Sequence, residues 1–354
     1  MTALYPMPTG REENWRFTPL ARIQGLLDDA APWVPLTPMV DGWDATTQVL
    51  GTDAPVPVDR ASAIGYQCAP EATVLKLTGE VSQPVTLTYE ATGGSQVGQL
   101  VIVAETLSRA VVVLRHIGDG DFIGNVAIDV GDGADLTVVS LQEWGDARRA
   151  GWNQANVGRD AHYRHVAVSL GGSVVRLQSN VRYTGPGGLA ELFGLHMTGA
   201  GQHHEHRLFV DQNWPKTTSR VDYRGALQGA GSHSVWIGDV RIRREAYGID
   251  SYEQNRNLLL TTGCIADSVP NLEIETGNIV GAGHSSATGH FDDEQLFYLC
   301  SRGIPQAAAR RLVVQGFLGE IIRRIGVAPI EDRLRRVVDE ELDRAEMASK
   351  ENHG

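Results

Sequence analysis

The feature that most constrains this chain is a run of some 220 residues, from about 71 to 290, in which no helical period of useful length appears. Short β-branched runs recur instead, at Val85–Tyr89, Leu100–Val103, Val111–Leu114, Val126–Val130, Leu136–Ser140 and Val166–Ser169. Glycine-rich breaks punctuate them at Gly118–Gly120, Gly131–Gly133, Gly171–Gly172 and Gly185–Gly188. Side chains branched at Cβ suit the pleated surface, while glycine and aspartate supply the turns, so the region reads as all-β. A body of this size built from short strands is a large sandwich, a barrel or a β-helix solenoid. Periodicity alone does not choose among the three.

The flanks differ in pattern. Residues 1–70 carry Pro6, Pro8, Pro32, Pro35, Pro38, Pro55 and Pro57 and read as an irregular arm. A short helical piece is expected from Leu20 to Leu27, where Leu20, Ile23, Leu26 and Leu27 share a face. Beyond the strands, residues 291–354 form a helical domain. Asp292 is a good N-cap with Gln295 three residues on, and Gly303 closes the first helix. Pro305 opens a second helix whose stripe of Val314, Phe317, Leu318, Ile321, Ile322 and Ile325 follows helical spacing until Gly326. A third helix places Ile330, Leu334, Val337, Val338 and Leu342 on one face.

Composition removes several functions. The 354 residues carry a formal net charge of −12, with a pI near 5.4, and the basic residues do not cluster, which argues against nucleic-acid binding. No stretch approaches the roughly 18 consecutive apolar residues of a membrane helix, and Met1–Trp15 lacks a signal-peptide core, so a cytoplasmic protein is expected. Cys68, Cys264 and Cys300 are far apart and form no CxxC pair, so the chain cannot supply four thiolates to a metal cluster. GK[ST], GxSxG and HExxH are absent, and Gly118–Gly124 has the spacing of a turn and not of a dinucleotide loop. A non-enzyme that does not hydrolyse ATP itself is expected, and any cluster it handled would need ligands shared with another chain or including histidine.

Histidines are the remaining chemical candidates. His203, His204 and His206 form an HHxH cluster after a glycine-rich turn, and on a strand His204 and His206 would share a face while Glu205 faced away. The favoured reading is an exposed polar loop or strand edge; the alternative function is a β-helix or cupin-like metalloenzyme using the three imidazoles. His284 sits among small residues in Gly281–Gly289, so little local bulk would hide its ring. Taken alone, it reads as structural.

The residues themselves point to a family. The stretch from His284 through Asp292-Asp-Glu-Gln-Leu-Phe-Tyr-Leu-Cys-Ser-Arg-Gly-Ile304 closely resembles the C-terminal signature of the SufB/SufD family of iron–sulfur cluster assembly proteins. Asn255–Leu260 with Asp267–Glu275 is similar to its NxNLLL…PxLEI stretch, and Pro215, Ser219, Tyr223, Gly225 and Leu227 fit a strand pair of that family. The opening Glu13–Leu20, the modest length and the histidine near the end of the β region resemble SufD-type chains more than SufB-type ones. The resemblance implies a right-handed parallel β-helix between an N-terminal helical segment and a C-terminal helical domain. It also implies pairing with SufB through β-helix edges, and docking of the SufC ATPase on the C-terminal helices, for which Phe297, Tyr298, Arg302, Val314, Phe317, Leu318, Ile321 and Ile322 are the candidates. In isolation a homodimer is the corresponding expectation. His284 aligns with a histidine implicated in building the nascent cluster, as a transient iron ligand at the SufB interface, with reduced flavin a candidate cofactor of the complex. The chain departs from the family pattern at Ala282, where some members have cysteine, and at Ser285 and Ser286.

Overall fold

The computed structural model describes residues 1–50, 55–291 and 293–351, without the side chains of 293, 295 and 344–351; the cap expected at Asp292 and the side chain of Gln295 lie outside this set. The helical piece expected at Leu20–Leu27 is present as α1 (Leu20–Ile23) followed by a 3-10 turn (Gln24–Leu27). The rest of the arm is more ordered than an irregular segment. It contributes short strands β1 (Val34–Pro35), β2 (Met39–Asp41) and β3 (Ala45–Val49), then α2 (Arg60–Cys68). The start of α2 is fixed by a capping box: Asp59 accepts from the Ser62 amide, and the Ser62 hydroxyl accepts from the Asp59 amide. Because serine replaces the usual glutamate, that signal is easily passed over in sequence.

Strands then follow without a helix: β4 (Glu71–Leu77), β5 (Val85–Ala104), β6 (Arg109–Val130), β7 (Asp135–Val157), β8 (His162–Ser169), β9 (Val174–Tyr183), β10 (Leu189–Thr198), β11 (His203–Gln212), β12 (Thr218–Leu227), β13 (His233–Ile242), β14 (Asp250–Leu259), β15 (Ile265–Ile274) and β16 (Gly281–His290). All pairings among β4–β16 are parallel, and from β9 to β14 each strand pairs with the strand two before it and the strand two after it. That connectivity makes two walls wound from one chain: a parallel β-solenoid of about eight turns, the third of the architectures open to the sequence. One turn takes 27 residues where His162 faces Leu189 and 32 where His233 faces Ile265. The strands β5, β6 and β7 each run around a corner. At such a corner Gly118 has φ +98°, and a Cβ there would strike the Ala91 carbonyl of the turn before.

Alternation sorts side chains to the two sides of each wall. Leu87, Leu114, Leu136, Leu192, Val210 and Val240 point into the lumen and form its core. On one outer wall, Trp15, Ile23, Leu26, Leu27 and Ile64 of the arm pack on Val97, Ile123, Ala150 and Val174. Against the opposite wall, Val139, Val166, Val168, Phe193 and Leu195 are covered by the C-terminal helices α4 (Gln306–Arg323) and α5 (Ala328–Glu351), which follow α3 (Asp293–Ser301). β3 lies antiparallel to β4 at the starting end of the solenoid. Nothing among the described residues pairs with the outer edges of β15 and β16 at the other end. No described helix is long and apolar enough to cross a membrane.

Candidate functional site

His284 lies on β16, the terminal strand, and its side chain is exposed. Register sets its surroundings. His284 faces Glu253 on β14, which faces Val221 on β12; since Val221 and Tyr223 belong to the lumen core, this column points inward. His284 therefore stands on the rim of the open end, on the inner side of the wall. Small neighbours leave it uncovered, in line with the sequence reading.

The lumen changes character toward that rim. In the early turns it is filled by leucine, valine and isoleucine. In the later turns it holds His165, His196, His204 and His206, then Glu253, Asn255, Asn257 and Ser268. The amides form a network: Ser268 Oγ donates to Asn255 Oδ1 at 2.6 Å, and Asn257 Nδ2 donates to Asn255 Oδ1 at 2.7 Å and to Thr288 Oγ1 of the last strand at 3.4 Å. Glu253 is different. Only 1% of its surface is exposed, and neither carboxylate oxygen has a hydrogen-bond partner among the described residues.

The histidine cluster is not the exposed loop or strand edge favoured by the sequence. His203, His204 and His206 are buried on β11, because the turns before and after it continue both walls. The expected alternation does hold. His204 and His206 point into the lumen with Leu208, whereas His203 and Glu205 point out beneath the arm. The three imidazoles thus do not converge. His204 bonds Thr198 and the Gly171 carbonyl, and no group of three His, Cys, Asp or Glu among the described residues could hold a metal ion. Burial holds His204 down at about 4 and His206 at about 3, so both are neutral near pH 7.

Outside the wall, Arg176 joins the arm to the solenoid. Its guanidinium bonds Asp59 at 2.6 Å and Glu205 at 3.2 Å and lies 4.0 Å from the Trp15 ring centre. Glu205 also accepts from the Thr18 hydroxyl at 2.7 Å. Burial, the largest single influence, works to raise the Glu205 carboxyl, but the Arg176 charge, the His203 ring and the Thr18 hydroxyl together outweigh it and bring it to about 2. From Glu205 the chain of contacts continues through His203 and His233 to Asp267 on β15.

The docking candidates separate into two groups. Phe297 is 75% exposed and Tyr298 56%, with the Arg302 guanidinium 5.1 Å from the Tyr298 ring centre. Val314, Leu318, Ile321 and Ile322 are instead buried against the chain's own outer wall. Phe317 is half-buried beside them, near Arg224, whose side chain bonds the Phe317 carbonyl and Glu320. The stripe is amphipathic because it covers a β wall, and side chains so covered are not a surface for a second protein. Sequence reasoning missed Glu253 and Arg176. Glu253 carried one legible signal: in Ser251-Tyr-Glu-Gln-Asn-Arg-Asn257, polar residues fall on both strand faces, which an apolar lumen would not accept.

An open rim carrying an exposed imidazole, a polar lumen behind it and helices following the last strand set this chain among parallel β-solenoid proteins with a helical C-terminal segment. Comparison with known proteins places it further. The family model for the SufBD core domain of the SUF iron–sulfur cluster assembly system matches residues 87–317, and the chain belongs to that family. It is 46% identical to an iron–sulfur cluster assembly SufBD family protein of Mycobacterium tuberculosis, over 98% of this chain and 92% of the relative. It is also 23% identical to the iron–sulfur cluster assembly protein SufD of Escherichia coli, over 89% of this chain and 84% of that protein. The SufD of Bacillus subtilis is 23% identical over 74% of this chain and 62% of that protein. A role in iron–sulfur cluster assembly follows from that membership.

Proposed function

We propose that this chain is a non-catalytic scaffold subunit that works with SufB and the SufC ATPase in the cytoplasm, contributing His284 to the place where iron and sulfide are first joined. The observation that carries this reading is the exposed imidazole of His284 on a terminal strand whose outer edge has no partner among the described residues. An edge of that kind accepts a strand from another chain, which would bring foreign thiolates next to the ring. Neutral imidazole is a suitable iron ligand, and the three free cysteines, Cys68, Cys264 and Cys300, are each half-buried. Iron and the nascent cluster are cargo here, with reduced flavin a candidate electron source in the complex. SufC docking is assigned to Phe297 and Tyr298 on α3 and Arg302 just after it, since the α4 stripe is occupied within the chain.

His284→Ala should leave the complex with SufB and SufC assembled, because the side chain is exposed, while reducing the iron bound per complex at least several-fold. Normal iron content in that variant would remove His284 from the mechanism. Phe297→Asp with Tyr298→Asp should abolish co-purification of SufC; retention at native affinity would rule out the α3 surface.

A further inference from the structure

A carboxylate sealed from water with neither oxygen hydrogen-bonded is costly, by roughly 1–3 kcal/mol even for a neutral group and more for a charged one, and few folds retain one without use. Glu253 is such a group, and its location is specific. It lies one strand below His284 in the same inward column, and adjacent strands are about 4.8 Å apart. Its carboxyl group crosses the lumen to the facing wall, where a Cβ on Gly238 would run into Oε2; that position is glycine, opposite Pro270 of the last turn. Asn257 Oδ1, a second orphaned oxygen, is buried two lumen-facing positions further along the same strand. Burial, with Asp239 adding to it, pushes the Glu253 carboxyl up to about 8.

We propose that Glu253 is the anionic ligand of an iron(II) entry site just inside the open end of the solenoid, with His284 as its neutral partner at the rim. The site rests on the function proposed for His284 and deepens it: the imidazole receives the ion, and the carboxylate behind it holds the ion until thiolates arrive. Carboxylate with imidazole is a donor set suited to divalent iron. With only two such ligands from this chain, the remaining positions fall to water, to lumen amide oxygens or to the incoming partner, so the cation is held loosely enough to be passed on. Nothing else on the inward faces of β14 and β16 bears a negative charge: Ser251, Asn255 and Asn257 flank Glu253, and Ala282, Ser286 and Thr288 flank His284. Asp267 of β15 faces outward, bonded to His233.

The test uses the full-length chain under anaerobic conditions, titrated with iron(II) and, for its visible ligand-field bands, with cobalt(II). The wild type should bind about one cation. Glu253→Gln, nearly isosteric, should weaken binding at least tenfold and change the cobalt bands, and Glu253→Asp should recover part of the affinity. Thermal unfolding of each variant reports whether the fold is kept. A wild-type chain that binds neither cation, or a folded Glu253→Gln variant that binds as the wild type does, overturns the proposal. The function proposed for His284 is judged separately in the assembled complex: cluster formation lost in His284→Ala but unchanged in Glu253→Gln would retain that function and reject the entry site.

Discussion

At the scale of single residues, the lumen imidazoles make the fold sensitive to acid. His116, His165, His196, His204 and His206 are buried, and burial holds all five below their ordinary value of 6.5. They are neutral in the folded chain and titrate near 6.5 once it unfolds. Between the folded values and 6.5 the unfolded state therefore binds more protons, and stability falls as pH drops through that window. Each histidine contributes a slope of up to about 1.4 kcal/mol per pH unit. The melting temperature should be flat above pH 7 and fall steeply from pH 6.5 to 5, with His196→Gln making the fall shallower. A melting temperature that does not change down to pH 5 would show that these rings are hydrated. The rim histidine was legible in the sequence because small residues surround it and the segment after it is distinctive. Burial of the HHxH cluster was not, since a polar strand reads as surface unless the neighbouring turns that enclose it are known.

At the scale of elements, both sets of helices are fastened to walls that the strands provide. Arg176 holds two carboxylates that have no route to water, so Arg176→Met should destabilise the chain by about 3–5 kcal/mol, read from urea unfolding. Loss of less than about 1 kcal/mol would mean that Asp59 and Glu205 find other partners. On the opposite wall Leu318 is fully buried, and Leu318→Ala should cost about 2–5 kcal/mol, with earlier proteolysis in α4 and α5. If that change instead weakened SufC binding without altering stability, the assignment of docking to α3 would fall. The stripe on α4 illustrates what a sequence conveys here: spacing marks an apolar helical face, but whether a β wall or another protein covers it depends on packing across more than a hundred residues, which brings Phe193 and Leu318 into one cluster. The strand region was readable for the opposite reason, because β-branched runs and glycine corners are local. The choice of solenoid over sandwich lay in pairings 26 to 32 residues apart, which residue pattern did not reveal.

At the scale of the whole molecule, the arm lies on one broad wall, the helices lie on the other, and among the described residues one end of the solenoid is left without a partner strand. Ile265, Ile274 and Val280 are exposed apolar residues in or beside the last turn. The isolated chain should accordingly form a weak homodimer end to end, and Ile274→Asp with Val280→Asp should shift it to monomer in sedimentation analysis and also impair pairing with SufB. A dimer that persists unchanged in that variant would locate its contact elsewhere. The junction at that end has a mechanical meaning. Only two residues separate His290, the last of the rim strand, from Asp293, the first of α3, whose aromatic side chains stand clear of the body. A nucleotide-powered motor gripping those aromatics would tug the rim through a leash of three peptide bonds, so a pull at the handle would reach the loading door while the solenoid behind it stayed still.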